Sequence, residues 1–210
     1  EANAKLHIDR IREEHSREEL DILFDDLFVD NDNQDRVWIH AHFGSNDIEG
    51  IFSKLRYMIV GCECKWVVID HLHMMVSATL EGDERRSIDS IMIRLRSLAE
   101  ETGAGLILVS HLRRIDGNKG HEKGAETDLS HIRGSQSIAQ ISDCVITLER
   151  NQQADDPVVA STTRVRILKS RYTGDVGIAT YLQYDKDTGR LREVDDTDIA
   201  FEAEAGLAFE

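Results

Sequence analysis

Two rhythms of apolar residues alternate along this chain. The helical one comes first: Leu6, Ile8, Ile11, Leu20, Leu23, Phe24, Leu27 and Phe28 recur among charges, with no Gly or Pro between them, and predict helix across residues 1–28. Asp30–Asp35 is a polar turn cluster, and Val37–Phe43 (VWIHAHF) then alternates as a strand. Helical spacing returns over Asp47–Ile59, with Ile48, Ile51, Phe52, Leu55 and Ile59 on one stripe and Gly61 as the stop. Trp66–Ile69 is an unbroken apolar run, β-branched at three positions, which reads as a short strand buried on both faces, as in parallel sheets. It ends in Asp70, where a strand-end carboxylate sits at the mouth of an open sheet and can meet a ligand.

Thr79–Asp83 reads as a loop with Asp83 as helix cap, and residues 84–101 follow as an amphipathic helix facing inward through Ile88, Ile91, Met92, Leu95, Leu98 and Ala99. Gly103 and Gly105 stop it. Leu106–Ser110 is a second buried strand, ending in His111. Residues 112–131 carry almost nothing apolar, and a loop this long inside a domain is functional or disordered. Arg133–Ser135 leads into a short helix with Ile138, Ala139 and Ile141, and Val145–Leu148 is a third buried strand. After a polar turn containing Pro157, Thr163–Leu168 and Gly177–Tyr184 alternate as a hairpin joined through Lys169–Asp175, with another turn at Asp187–Gly189. Helix alternating with buried strand marks an α/β architecture.

Composition adds little until charge is mapped. The net charge of −15 is confined to the ends: residues 1–35 hold twelve acids against four bases, residues 193–210 hold seven acids and no base, and residues 36–192 are neutral overall. The acidic total therefore does not exclude nucleic acid, which local basic clusters decide. No apolar run approaches the roughly 20 residues of a membrane span, so no membrane partner is expected. Three cysteines, Cys62, Cys64 and Cys144, suggest a reducing compartment. Cys62 and Cys64 with His71 and His73 invite zinc, but the strand between the pairs would hold them roughly 20 Å apart if extended, and the C-x-C spacing is not the usual one.

Five runs in order carry a resemblance: IDHLHMMVSA, LILVSHLRR, DLSHIRGS, LERNQQ and ILKSRYTGDVGIATYLQY. Across residues 36–192 the chain resembles the C-terminal motor domain of DnaB-like ring helicases, in particular those of phage helicase–primases and mitochondrial Twinkle. The resemblance implies an α/β, RecA-like fold with a mostly parallel sheet flanked by helices. It implies a replicative helicase that couples NTP hydrolysis to translocation on single-stranded DNA and duplex unwinding, working as a homo-oligomeric ring, a hexamer. ATP or dTTP with Mg²⁺ would be the cofactors, and the setting the cytoplasm of a phage-infected bacterium. The division expected is a partial motor domain over 1–192, with 1–35 an acidic helical lead-in, and an acidic tail over 193–210. No G-x-x-x-x-G-K-[ST] occurs anywhere in the chain, so the phosphate-cradling loop is missing and the family's catalytic glutamate has no convincing counterpart. The expectation is a piece truncated past that loop and inactive alone.

The same resemblance assigns roles residue by residue. Asp70 would hold Mg²⁺ through water, with His71 beside it or, equally, a core histidine. His111 would sense the terminal phosphate. Arg171 would reach across a subunit boundary, with Lys169 nearby; the ordinary alternative is a surface ion pair with Asp175. Tyr184, Gln140 and Arg150 fall at nucleotide-side positions. Arg113, Arg114, Lys119, Lys123, Arg133 and Gly134 would face single-stranded DNA, although Asp116, Glu122, Glu126 and Asp128 share the loop. Phe209 in its acidic context resembles the polymerase-docking tail of phage helicase–primases, or serves solubility alone. Two alternatives stay open: a RecA-like ATPase of another kind, recombinase-type, and, for the fragment, a non-catalytic assembly or DNA-binding module.

Overall fold

A computed structural model describes residues 16–29, 34–40, 47–76, 84–114, 120–134 and 136–194. The first half of the expected N-terminal helix, the 79–83 loop with its cap, Lys119, Ser135 and the acidic tail from 195 onward lie outside the described residues.

Helix α1 (Arg17–Phe28) begins at a capping box, in which the Ser16 hydroxyl accepts the Glu19 N–H and the Glu19 carboxylate accepts the Ser16 N–H. Helix α2 (Ile48–Arg56), capped by Asp47, runs on into a single π turn over Tyr57–Gly61. Strand β1 (Trp66–Ile69) pairs in parallel with β2 (Gly105–Leu108), and the short α3 (Leu72–Val76) and long α4 (Glu84–Thr102) lie between them in sequence. The core gathers on one side of this pair: Leu55 and Ile59 from α2 and its π turn, Val67 from β1, Leu72 and Met75 from α3, and Ile88, Ile91, Met92, Leu95 and Leu98 from α4. Gly105 is required at its register position because the Trp66 ring lies against it where a Cβ would stand.

The remaining strands form a second, antiparallel sheet. Helix α5 (Gln136–Ile141) leads into β3 (Cys144–Glu149); α6 (Pro157–Ser161) precedes β4 (Thr162–Ser170), followed by β5 (Gly177–Asp185) and β6 (Arg190–Val194), in the order β3-β4-β5-β6. The parallel pairing among described residues is thus confined to β1 and β2. A cleft of about 870 Å³ lies between β2 and β3.

Three expectations need correction. Val37–His40 is not a strand: alternation marks one apolar face but supplies no ladder partner, and a cleft of about 1240 Å³ separates this segment from β1. Strands β1 and β2 are not buried on both faces; Trp66 and Val68 are 69% and 63% exposed and Ile107 48%, because the core packs against one face of the pair, the one that carries Val67, Leu106 and Leu108.

Strand β3 has its burial reversed. Ile146 and Leu148 face out, while Thr147 and Glu149 are buried. The inward face is polar because it meets a polar layer: Glu149 accepts the Thr127 N–H at 2.8 Å and the Thr127 hydroxyl, and pairs with the Arg164 and Arg166 guanidinium groups of β4. Arg166 also holds Glu126 at 2.8 Å.

Candidate functional site

The two parallel strands bring their C-terminal ends together, and backbone bonds extend the pairing past the strands. The Val109 N–H donates to Ile69 O at 3.0 Å and the Leu72 N–H donates to Val109 O at 2.9 Å. Asp70 therefore stands exposed at the sheet's mouth, joined to His71 by a cis peptide bond. His71 and His111 meet edge to face, with ring centroids 4.2 Å apart. The Nδ1 of His71 is buried without a hydrogen-bond partner. Helix α3 starts at once, so His73 joins the group, 5.9 Å from both other rings. Burial first, and the nearby Arg133 guanidinium second, push the His73 imidazole below its ordinary pKa. Glu84, at the start of α4, faces His73 at 3.9 Å and Arg133 at 3.5 Å.

The segment after His111 leaves this spot and returns to it. The Arg133 N–H donates to His111 O at 3.0 Å, the Arg113 N–H donates to His131 O at 2.9 Å, and Leu112 bridges Ile132. Asp128 caps the 3₁₀ turn Leu129–His131, and Lys123 bridges Asn151. The described part of the loop is therefore anchored rather than free. Arg113, Arg114, Lys123 and Arg133 are exposed on it. Gly134 has a φ of +110°, and a Cβ there would strike Ile88, so the backbone passes close over α4.

A second constellation forms at the far end of α5. Lys169 Nζ donates to the carbonyls of Ala139 and Gln140 at 2.8 and 3.0 Å. The Arg171 N–H donates to Asp143 O at 2.8 Å and its Nη1 to Asp143 Oδ1 at 3.3 Å. The ion-pair partner of Arg171 is thus Asp143, not Asp175. Asp143 also accepts from Arg96 of α4 at 2.7 Å. Burial alone would raise the Asp143 carboxyl; Arg96 and then Arg171 outweigh it and hold the pKa low. Tyr184 lies on β5 opposite Leu191, and Arg150 follows the buried Glu149.

The structure therefore brings Asp70, His71, His111 and Arg133 together and gathers Lys169, Gln140 and Arg171 elsewhere. Among the described residues no hydrogen bond or ion pair joins the two groups. Sequence reading missed His73 and Glu84 as members of the first group and Asp143 as the holder of Arg171. The signal for His73 was its place two residues after His71, at the same strand end.

The model of the DnaB-like helicase C terminal domain matches residues 2–193. The DNA helicase/primase of Enterobacteria phage T3 is 40% identical over 172 residues, which is 82% of this chain but 29% of that protein's length. In fold, a solved ATPase domain superposes with a TM-score of 0.69 at 20% identity, covering 92% of this chain and 67% of that one. The architecture is accordingly α/β and RecA-like, with its parallel pair and antiparallel sheet flanked by helices. The chain belongs to the DnaB-like helicase C-terminal domain family.

Proposed function

We propose that the chain is the C-terminal part of the motor of a replicative DNA helicase, which hydrolyses ATP or dTTP to move along single-stranded DNA and part the duplex as a hexameric ring. The observation that carries this reading is the hydrogen bond from the Arg133 N–H to the His111 carbonyl. It ties the residue proposed to sense the terminal phosphate directly to the run proposed to touch DNA.

Asp70 suits Mg²⁺: it offers one exposed, hard carboxylate at the mouth of the sheet, and Mg²⁺ keeps several waters while taking one or two carboxylates and the nucleotide's phosphates. The ion would neutralise charge on the phosphates. His111, exposed beside it, would donate a hydrogen bond to the terminal phosphate and pass its loss through its own carbonyl to Arg133. Arg113, Arg114, Lys119, Lys123, Arg133 and the close-packed Gly134 would contact the DNA backbone. Arg171 and Lys169 would serve the neighbouring subunit's nucleotide, with Tyr184, Gln140 and Arg150 on the nucleotide side.

Two results test the reading. The 210 residues alone should hydrolyse no nucleotide, because they contain no phosphate-cradling loop. Asp70-dependent turnover by them would show a complete site and would favour an ATPase of another design. In the full-length protein, Arg133→Ala should weaken single-stranded DNA binding across all sequences and reduce the salt slope by about 1. An unchanged slope would remove Arg133 from the DNA contact.

A further inference from the structure

His71 touches His111 at the mouth of the sheet, and the proposed function gives it no task. Its backbone is fixed from both sides. The Val109 N–H donates to Ile69 O and the Leu72 N–H donates to Val109 O, so Asp70 and His71 sit between two bonds to one residue of the neighbouring segment. The Met74 N–H donates to His71 O at 3.0 Å, and Leu72 and Met75, at 0% and 3% exposure, anchor α3 in the core directly after it.

His111 is held in its backbone but not through its ring nitrogens. Val109, two residues earlier, carries the bonds just named, and the Arg133 N–H donates to the His111 carbonyl. The residue is exposed, and among the described residues no hydrogen bond or ion pair holds its imidazole. What it meets instead are two rings: His71 at 4.2 Å between centroids with the planes 63° apart, and His73 at 5.9 Å and 36°. An unrestrained imidazole at a strand end turns about its side-chain torsions, whereas a donor has to lie about 3 Å from its acceptor and nearly in line with it. The close ring contact is therefore the restraint that selects the direction of the His111 donor.

The Nδ1 of His71 supports the same use. It is buried and bonds to nothing, a cost that an apolar ring of the same shape would avoid. The contact is made by one ring's edge on the other's face, an arrangement that aromatic pairs favour without any hydrogen bond. We propose that His71 is a positioning residue for His111: its ring holds the His111 imidazole in the orientation that donates to the terminal phosphate, and it acts by shape rather than through a nitrogen. The inference rests on the proposed role of His111.

The test uses the full-length protein with saturating single-stranded DNA. It reads kcat and the affinity for nucleoside diphosphate, which has no terminal phosphate to sense. His71→Ala should lower kcat about tenfold or more, since a misplacement of about 1 Å can cost 10²-fold, and should leave diphosphate affinity unchanged. His71→Phe, which keeps a ring and drops the nitrogens, should restore most of that loss. In a His111→Ala background, His71→Ala should cost nothing further, because groups that act as a unit are not additive. A wild-type kcat in His71→Ala overturns the proposal. So does a loss as large in His71→Phe as in His71→Ala, which would give the work to a nitrogen. The same fold-loss in both backgrounds overturns it by placing the effect of His71 elsewhere in the site, and diphosphate affinity falling in parallel with kcat would make His71 a prop for the whole site. His111→Ala alone is measured alongside: near-normal hydrolysis by that variant sinks the sensor role itself, whatever the His71 variants do. If His71→Ala does not fold, His71→Leu removes the flat ring while filling more of the space, and the same comparisons are read.

Discussion

Replacing Arg171 by Ala in the full-length protein should lower nucleotide hydrolysis by roughly 10³–10⁵-fold, the range for arginine fingers in other phosphoryl-transfer enzymes, with nucleotide binding and folding near wild type. The guanidinium is a rigid fork of five donors suited to charge spread over a transferring phosphoryl group. Arg171 is 62% exposed and gives one side-chain bond, at 3.3 Å, to Asp143. An exposed pair of that kind contributes at most about 1 kcal/mol to folding, so a purely structural role predicts almost no loss of activity. The two readings differ by orders of magnitude. Mixed rings of Arg171→Ala and Asp70→Asn subunits should regain some turnover, because one kind of boundary then joins an intact Asp70 to an intact Arg171. Hydrolysis by Arg171→Ala at near the wild-type rate would remove the cross-subunit assignment.

What the sequence could tell followed from where apolar periodicity and burial coincide. In α4 they coincide at Ile88, Ile91, Met92, Leu95 and Leu98, which repeat at helical spacing and are buried, while Ala99 of the same stripe is half-buried. The β4–β5 hairpin was legible because its alternation is long and its turn is rich in polar residues. Strand β6 was not: Arg190–Val194 reads RLREV, with its charges on both faces, and it is held by its register against β5 rather than by an apolar face. At Val37–His40 the pattern was present but the ladder was not, since alternation cannot say whether a neighbour strand is at hand. The strand ends put Asp70 and His111 at one edge by topology alone. The contact of Arg133 with His111 was beyond reach, because it depends on a loop closing on itself through backbone bonds that no residue pattern encodes. Asp143 was missed for a related reason: a lone Asp before a strand reads as a turn residue until Arg96 and Arg171, distant in sequence, converge on it.

The reversed face of β3 leads to the second large effect. Glu149→Ala should destabilise the fold by about 3–5 kcal/mol, the cost of breaking a buried ion pair from one side. The Glu149 side chain is fully buried and Arg164 is 7% exposed, so removing the carboxylate leaves a guanidinium charge in the interior. The Thr127 N–H loses its acceptor as well, and the loop is then held to β3 at this point by the Thr127–Thr147 hydroxyl bond at 2.7 Å. Burial alone would raise the Glu149 pKa; the Thr127 bonds and Arg164 outweigh it and set it below the ordinary 4.5. A carboxyl depressed on folding adds stability that is fully present above 4.5 and lost as pH falls through the lower folded value. The gap between wild type and Glu149→Ala should therefore narrow in acid, below the ordinary carboxyl range. Replacing the whole group, Glu149→Leu with Arg164→Met and Arg166→Met, should recover most of the loss at neutral pH, since apolar residues of similar volume commonly match a buried ion pair. That triple variant would still leave Thr127 without its acceptor. Stability near wild type combined with weakened single-stranded DNA binding would identify the network as an anchor for the loop rather than a prop for the fold. Denaturant unfolding decides the first point: a loss below about 1 kcal/mol for Glu149→Ala, the size of an exposed pair, would mean that water reaches the carboxylate and that β3 is not inverted as described.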